Sequence, residues 1–251
     1  MELKGGTQAG RLQMMANHQN QQLPGVDTPV PARVIAVSSG KGGVGKSSFS
    51  TNLSVCFAKM GQRVLLMDGD LGLANLDIMF GIKPDLTLLD LFDETATIDE
   101  ILTPASENVM LLPGCSGRYD LANLSDKDRY SLFEAIDTVE DDFDSLIIDT
   151  GAGISSNAIQ FAAAAQTVVI VASPDPTSIA DAYAFIKVIS TRCAVKRVYL
   201  VSNMVNSAIQ GEDVYRRLSK VVNKFLGVGI DYLGFMARDG SVQRAVHTGV
   251  P

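Results

Sequence analysis

Residues 40–48 carry the most distinctive chemistry of the chain, because they read Gly-Lys-Gly-Gly-Val-Gly-Lys-Ser-Ser. This order matches G-x-x-x-x-G-K-[ST], the pattern of a phosphate-binding loop. Glycines allow backbone N–H groups to turn toward phosphate oxygens, a lysine neutralises their charge, and a hydroxyl ligates Mg²⁺. The loop therefore predicts a phosphate site with a magnesium ion. Its predicted binding residues are Gly40, Gly42, Gly43, Val44, Gly45, Lys46, Ser47 and Ser48, with Ser47 as the metal ligand.

Two flanking elements position this loop. Residues 33–38 form a short, apolar, β-branched run, which predicts a buried parallel strand. Residues 48–60 carry apolar side chains at helical spacing, so we expect a helix where the loop ends. The N-terminus of that helix adds unsatisfied N–H donors and the positive end of its dipole. A glycine-rich turn with a chance lysine is the alternative, and the flanking strand and helix argue against it.

The rest of the chain repeats this alternation of strand and helix. The alternation predicts an α/β fold, a doubly wound and mostly parallel sheet with helices on both faces. Ligands of such a fold lie at the carboxyl ends of the strands. The predicted strands are 33–38, 63–69, 109–112, 144–149, 167–173, 197–203 and 230–236, and the predicted helices are 48–60, 86–92, 125–140, 155–165, 176–191 and 211–226.

Polar side chains stand where three of these strands end. Asp68 and Asp70 lie at the end of the second strand, and Asp149 ends the fourth. A carboxylate there can orient the water that attacks a γ-phosphate, or hold a water of the magnesium shell. Asn203 ends the sixth strand, and its amide offers the donor and acceptor that an adenine edge requires. A turn-forming acidic pair is the alternative for the two aspartates of the second strand.

Composition limits the classes of protein that fit. The chain has 251 residues, 46% of them apolar, which suits one large α/β domain. A net charge of −7 argues against a diffuse nucleic-acid-binding surface, so no direct nucleic-acid partner is expected. Three distant cysteines, without a signal peptide or a bilayer-length apolar run, predict a cytoplasmic protein. We expect a flexible polar arm at 1–31 and a P-loop domain at 32–251.

A second lysine, Lys41, follows the first glycine of the loop, although Lys46 already serves bound phosphates. The sequence K-G-G-V-G-K-S resembles the deviant Walker A loop of the MinD/ParA family of dimerising ATPases. The resemblance implies ATP and ADP with Mg²⁺ as ligands, slow and partner-regulated hydrolysis of ATP, and an ATP-dependent homodimer. It also implies a catalytic role for Lys41, which would reach the nucleotide of the partner subunit. A solvated surface lysine is the alternative.

The same resemblance assigns roles to the residues at the strand ends. In the family the second aspartate of a D-x-D switch positions the attacking water, which implies a catalytic role for Asp70, while Asp68 organises magnesium-bound waters. Asp149 lies in a stretch similar to the Walker B and switch II pattern, where it would hold a water of the Mg²⁺ shell. An asparagine at the position of Asn203 recognises the base, and the segment ending in Asp239 resembles a second adenine wall.

Three stretches resemble one branch of this family, the flagellar-number regulators FlhG (also called FleN). They are residues 70–77, 149–154 and 173–187, and the last is very similar to E-P-T-S-I-T-D-A-Y-A-L-I-K of that branch. The implied output is control of flagellar number and placement. The implied partners are an FlhF-type GTPase and a flagellar switch-complex protein or transcriptional regulator. Division-site MinD-type and ParA-type positioning ATPases are the alternatives, and a nucleotide-dependent binding module without useful turnover is another.

The two ends of the chain are relevant to which proteins and membranes it contacts. Residues 7–13 resemble the D-Q-A-x-x-L-R element with which many FlhG proteins activate FlhF, so the arm is expected to hold a GTPase-activating helix. Its expected contact residues are Gln8, Arg11 and Leu12, and a disordered polar tail is the alternative. Family members usually continue beyond Pro251 to a membrane-targeting helix, so either this end is truncated or the protein lacks its own anchor. Membrane contact is not expected from these residues, and recruitment to the membrane or cell pole is expected only of a longer protein.

Overall fold

The computed structural model describes residues 32–115, 121, 123–195 and 197–251. In that part of the chain, eight strands form one sheet and helices cover both of its faces, which confirms the predicted α/β class. The strands are β1 (Arg33–Ser38), β2 (Val64–Gly69), β3 (Thr103–Ser106), β4 (Val109–Leu112), β5 (Ser145–Thr150), β6 (Thr167–Ala172), β7 (Arg197–Val205) and β8 (Gly229–Ala237). The helices are α1 (Lys46–Lys59), α2 (Leu76–Phe80), α3 (Leu88–Phe92), α4 (Ile98–Ile101), α5 (Asp126–Val139), α6 (Ser156–Ala164), α7 (Pro176–Arg192), α8 (Ala208–Phe225) and α9 (Gly240–Thr248).

The order of strands brings three functional loops together. The sheet runs β3-β4-β2-β5-β1-β6-β7-β8, and β3 alone of these described strands is antiparallel to its neighbour. Strands β2, β5 and β1 are therefore adjacent at the centre, and all three point the same way. Because carboxyl ends of parallel strands share one edge, the segments after these three strands meet there.

Register places particular side chains opposite one another at that edge. Asp149 of β5 lies across from Asp68 of β2 on one side and from Val37 of β1 on the other. Successive strand residues face opposite sides of a sheet. Accordingly, Ile148 packs into the core beneath α5 and α6, and Ile147 packs into the core beneath α1. This alternation fixes the register, because a shift of one residue would turn the apolar side chains of β5 to the wrong layer.

Several helices begin at side chains that cap their first turn. Ser125, Ser155 and Ser207 accept hydrogen bonds from backbone N–H groups at the starts of α5, α6 and α8. Asp175 does the same for α7, where Pro176 occupies the first turn. Serine and aspartate are preferred at these positions because they satisfy N–H groups that have no partner within the helix.

The structure adds elements that the sequence pattern did not predict. All seven predicted strands are present, and β3 is an eighth, at the edge of the sheet and with Pro104 inside it. Helices α2 and α4 span only five and four residues. Helix α9 contains no fully buried residue, although Val246 packs against the core beneath α1. Among the described residues, no helix has the length and apolar character needed to cross a bilayer.

Candidate functional site

The loop after β1 has the backbone geometry of an anion-binding turn. Gly43 and Gly45 have φ angles of 76° and 84°, in the left-handed region that favours glycine. Gly45 also precedes the first residue of α1, where no side chain caps the helix and no acidic residue lies in the first turn. The N–H groups at this helix start are therefore available to an anion such as phosphate.

The loop is packed tightly at one end and open in the middle. A Cβ on Gly40 would overlap the backbone of Asp181 in α7, so only glycine fits there. A Cβ on Gly42 or Gly43 would have no atom within 4 Å. Gly153, which follows β5, donates its backbone N–H to the carbonyl of Ser39 at 2.9 Å. The segment after β5 thus contacts the start of the loop directly.

Lys46 and Asp149 form a buried ion pair beneath the loop. Lys46 Nζ lies 2.9 Å from Asp149 Oδ1, and the two side chains are 8% and 1% exposed. Ser50 Oγ donates to the same carboxylate oxygen at 2.7 Å. Asp149 Oδ2 has no hydrogen bond among the described residues. A carboxylate oxygen and the half-buried hydroxyl of Ser47 are the oxygen donors that Mg²⁺ prefers, so these residues fit the ion.

Asp68 is buried and holds the segment that follows β2. Its carboxylate accepts hydrogen bonds from the backbone N–H groups of Asp70 at 3.2 Å, Asn75 at 2.9 Å and Leu76 at 3.0 Å. Burial, and then the negative charge of Asp149, raise the pKa of Asp68 to about 7. Asp68 therefore fixes the path of residues 70–76, and its predicted action on magnesium-bound waters stays a prediction.

Asp70 lies between the segments that follow β2 and β5. A Cβ on Gly151 would lie 3.6 Å from Asp70 Oδ1. Burial raises the pKa of Asp70, the charge of Lys46 opposes this effect, and the charge of Asp149 adds to it. The structure thus brings Asp70 close to the residues of the phosphate loop, where a carboxylate can accept a hydrogen bond from water.

Cys115 contacts the same segment after β2 from the other side. Its thiol is buried, and Sγ lies 3.4 Å from the carbonyl oxygen of Leu71. A Cβ on the preceding Gly114 would lie 2.9 Å from the Cβ of Ala74. Residues 71–74 therefore lie directly against the end of β4 and cannot move without separating from it.

Lys41 points away from Lys46 and toward the start of α7. Its Nζ lies 2.7 Å from Asp175 Oδ2 and 2.6 Å from Thr177 Oγ1. This hydrogen bond from Lys41 is the main cause that lowers the pKa of Asp175. The two lysines of one loop thus contact different carboxylates, and the action of Lys41 on a partner subunit stays a prediction.

Asn203 and Asp239 have internal partners in this structure. Asn203 is buried, donates from Nδ2 to the carbonyl of Val44 at 2.8 Å, and accepts from the backbone N–H of Met204 at 2.8 Å. Asp239 caps α9 by accepting from the backbone N–H of Ser241 at 2.8 Å. Both residues stabilise walls next to the loop, and their predicted contacts with a base stay predictions.

A cavity of about 450 Å³ opens beside the loop, and we call it the rim cavity. Its lining includes residues that sequence patterns did not indicate. Only their positions in the sequence could have indicated them. Asn206 and Gln210 come after the strand that contains Asn203, and Arg238 directly precedes Asp239. The lining residues are Lys41, Gly42, Gly43, Val44, Ser173, Pro174, Asp175, Met204, Asn206, Gln210 and Arg238.

The arm residues Gln8, Arg11 and Leu12 lie outside the described part of the chain. The described residues begin at Ala32. Ala32 is buried and leads into β1 from its amino end, whereas the phosphate loop follows the carboxyl end of that strand. The chain therefore enters the described domain at the amino end of β1, away from the phosphate loop.

Comparisons with known proteins agree with this fold and site. The family model described as an AAA domain matches residues 32–199. Antiactivator FleN of Pseudomonas aeruginosa is 39% identical over 86% of this chain and 77% of that protein. Flagellum site-determining protein YlxH of Helicobacter pylori is 37% identical over 95% of this chain and 81% of that protein.

A solved structure shows the same fold. The cell division ATPase MinD of Pyrococcus furiosus superposes with a TM-score of 0.69 and 24% identity, over 88% of this chain and 89% of that one. The deviant loop with Lys41, the buried Lys46–Asp149 pair and the two flagellar relatives agree with one another. The chain therefore belongs to the MinD/ParA family of P-loop ATPases, within the group that contains FleN and YlxH.

Proposed function

We propose that this chain is an ATP-dependent dimeric switch that regulates the number and placement of flagella. The observation that carries the proposal is that the two lysines of one loop have different partners. Lys46 points inward to Asp149, and Lys41 points along the rim to Asp175. Its own phosphate site does not need a lysine at the rim, and the partly exposed pair with Asp175 can open, so Lys41 can turn to a second subunit.

The residues of the site fit Mg²⁺–ATP, which supplies the phosphoryl group that is transferred to water. Lys46 would turn from Asp149 to neutralise the phosphate oxygens. Ser47 and Asp149 would hold the magnesium ion, which would supply charge neutralisation at the phosphates. Asp70 orients the attacking water, and its raised pKa suits a group that must accept a proton.

Hydrolysis is coupled to the conformation of the two segments that follow β2 and β5 and lie near the loop. Asp68 holds residues 70–76 by three hydrogen bonds, and Gly153 holds the segment after β5 to Ser39. Segments of this kind become ordered when a γ-phosphate is bound and are released when it is lost. We therefore place the ATP-dependent surface of the dimer at these two segments.

The flagellar relatives support the biological output. FleN is named an antiactivator and YlxH a flagellum site-determining protein. By analogy, the partners of this chain are an FlhF-type GTPase and a transcriptional regulator or flagellar switch-complex protein. The chain acts in the cytoplasm with slow, partner-stimulated ATP turnover, and recruitment to the membrane or cell pole depends on those partners.

Two variants test the dimeric switch. Asp70→Ala should bind ATP, lose about 10²–10⁴-fold in turnover and accumulate as dimer. Lys41→Ala should stay monomeric with a non-hydrolysable ATP analogue, as measured by light scattering. Lys59→Ala, an exposed lysine in the last turn of α1, is the matched control and should behave as wild type. A Lys41→Ala protein that dimerises and hydrolyses normally would refute the proposed role of the second lysine.

Experiments in cells distinguish a role in flagellar number and placement from a role in cell division. A strain without this protein should carry an abnormal number or position of flagella, counted by electron microscopy. Complementation with wild type should restore the pattern, and complementation with Asp70→Ala should not. Minicells with a normal flagellar pattern would favour a MinD-type role in division instead.

A further inference from the structure

Ser50 lies inside the domain, one helical turn beyond Lys46 in α1, and its side chain is fully buried. Its Oγ lies 2.7 Å from Asp149 Oδ1 and 3.1 Å from the carbonyl oxygen of Lys46. A hydroxyl has a single hydrogen to donate, and a charged acceptor at the shorter distance forms the stronger bond. The hydroxyl of Ser50 therefore donates to the carboxylate of Asp149.

The same carboxylate oxygen is also bound by the ammonium group of Lys46, at 2.9 Å. Under the proposed function, a phosphate on the loop draws that ammonium away from Asp149. The Ser50 hydroxyl has only one side-chain torsion and is buried, so it stays beside Asp149. Of the side chains that the structure describes, Ser50 alone then still donates a hydrogen bond to this carboxylate.

A single fixed donor is enough to orient a carboxylate. Without one, the group can turn about its last torsion, because that torsion is broad and nearly two-fold. The bond from Ser50 holds Asp149 Oδ1 toward α1, and Oδ2 has no hydrogen bond within the described part of the chain. Outer partners of this kind decide which oxygen of a carboxylate is available to a metal ion.

We infer that Ser50 is a positioning residue for the magnesium site. Its hydroxyl keeps Asp149 Oδ1 bound when Lys46 turns to phosphate, so that Oδ2 stays available to the ion and its waters. The inference rests on the proposed binding of a nucleotide with Mg²⁺. Ser50 acts through Asp149 and takes no part in phosphoryl transfer, whereas Ser47, with its half-buried hydroxyl, is the predicted direct ligand.

A second serine of α1 shows what a purely structural role looks like. Ser54 is as deeply buried as Ser50 and lies one turn further along the helix. Its Oγ donates to the carbonyl of Thr51 at 2.7 Å, within its own helix. Because the Ser50 hydroxyl instead reaches across to β5, Ser54→Ala is the matched control for Ser50→Ala.

Binding of ADP with and without metal tests the inference without any turnover. Calorimetry on the full chain gives the dissociation constant of ADP with Mg²⁺ and with a chelator, and the ratio of the two constants measures how much the metal tightens binding. This ratio should fall about 10-fold in Ser50→Ala. The affinity for ADP in the chelator, and the ratio in Ser54→Ala, should both equal those of the wild type.

Two further measurements separate hydrogen bonding from packing. Ser50→Cys fills nearly the same space, but a thiol is a weak donor, so the ratio should fall in this variant as well. Titration of Mn²⁺ into the ADP-bound protein, followed by electron paramagnetic resonance, gives the metal affinity directly. The dissociation constant of Mn²⁺ should rise about 10- to 100-fold in Ser50→Ala and stay at the wild-type value in Ser54→Ala.

The outcomes separate this inference from the proposed function. A wild-type protein that binds no ADP under either condition would overturn the proposed function itself. A wild type that binds ADP equally with and without Mg²⁺, or a Ser50→Ala protein with an unchanged ratio, would overturn only the role of Ser50. An equal loss with and without the metal would overturn it too, since Ser50 would then merely support the loop. Thermal unfolding without ligand confirms that each variant is folded, and a Ser50→Cys protein that behaves as wild type would also contradict the inference.

Discussion

Lys46→Met should destabilise the folded domain as well as prevent phosphate binding. Methionine keeps the length and the apolar stem of lysine, but it leaves the buried carboxylate of Asp149 without the cation that lies 2.9 Å away. Removing one partner of a buried ion pair typically costs about 3–5 kcal/mol. Because the hydrogen bond from Ser50 remains, we expect about 3 kcal/mol, a large part of the 5–15 kcal/mol that is usual for a domain.

The size of this loss should depend on pH, because Asp68 lies opposite Asp149 in the sheet. Burial and the Asp149 charge raise the pKa of Asp68 to about 7, above its unfolded value of about 3.9. Protonated Asp68 therefore favours the folded state, and this contribution is lost as pH rises from about 4 to 7. In Lys46→Met, no cation offsets the repulsion between the ionised carboxylates of Asp68 and Asp149. The expected penalty is about 3 kcal/mol at pH 8 and about 1–2 kcal/mol at pH 5.5.

Urea unfolding followed by circular dichroism, without nucleotide and with a chelator, measures both values. Lys41→Met is the matched control, since it removes a lysine of the same loop whose ion pair with Asp175 is 39% and 45% exposed. The control should cost less than about 1 kcal/mol at either pH. A Lys46→Met penalty no larger than that of the control, or equal at the two pH values, would refute the reasoning.

Three further outcomes are expected. Gly40→Ala should lower the stability by about 2 kcal/mol or more in thermal unfolding, because its Cβ overlaps the backbone of Asp181; a wild-type melting curve would contradict this. Asn203→Ala should leave a loop carbonyl without its donor and weaken Mg²⁺–ATP about tenfold by calorimetry; unchanged affinity would count against it. A peptide of residues 1–22 should raise the GTP turnover of an FlhF-type partner, and the same peptide with Gln8→Ala should raise it less; an inactive wild-type peptide would disprove the role of the arm.

Sequence patterns predicted the interior of the sheet well, because buried parallel strands must be continuous apolar runs. They failed at the periphery. Strand β3 is short, lies at the edge and contains Pro104, which a central strand would not tolerate. Helix α9 lies against α2, with Gly249 close to Gly81 just beyond the ends of the two helices. Its apolar side chains Val242, Ala245 and Val246 do follow helical spacing, but the run is only nine residues long, so the pattern was overlooked.

The site was predictable to the extent that topology alone brings strand ends together. Asp68 and Asp149 could be expected near the loop, since the loop and both aspartates lie at the carboxyl ends of parallel strands of one sheet. The partner of Lys41 could not, because Asp175 is 134 residues away and belongs to a helix cap. Sequence patterns also did not indicate Gln210 and Arg238, for a related reason. Both line the rim cavity because the start of α8 and the end of β8 adjoin it.

The burial of Cys115 against the Leu71 carbonyl gives the chain a built-in chemical probe of its own motion. Cys56 is exposed and Cys193 is intermediate, so both react with an alkylating reagent without any opening of the core. Cys115 is buried, so its alkylation requires a local opening, and separation of the segment after β2 from the end of β4 is such an opening. Mass spectrometry of timed samples thus measures how often this part of the wild-type protein opens, with Cys56 and Cys193 as internal reference thiols.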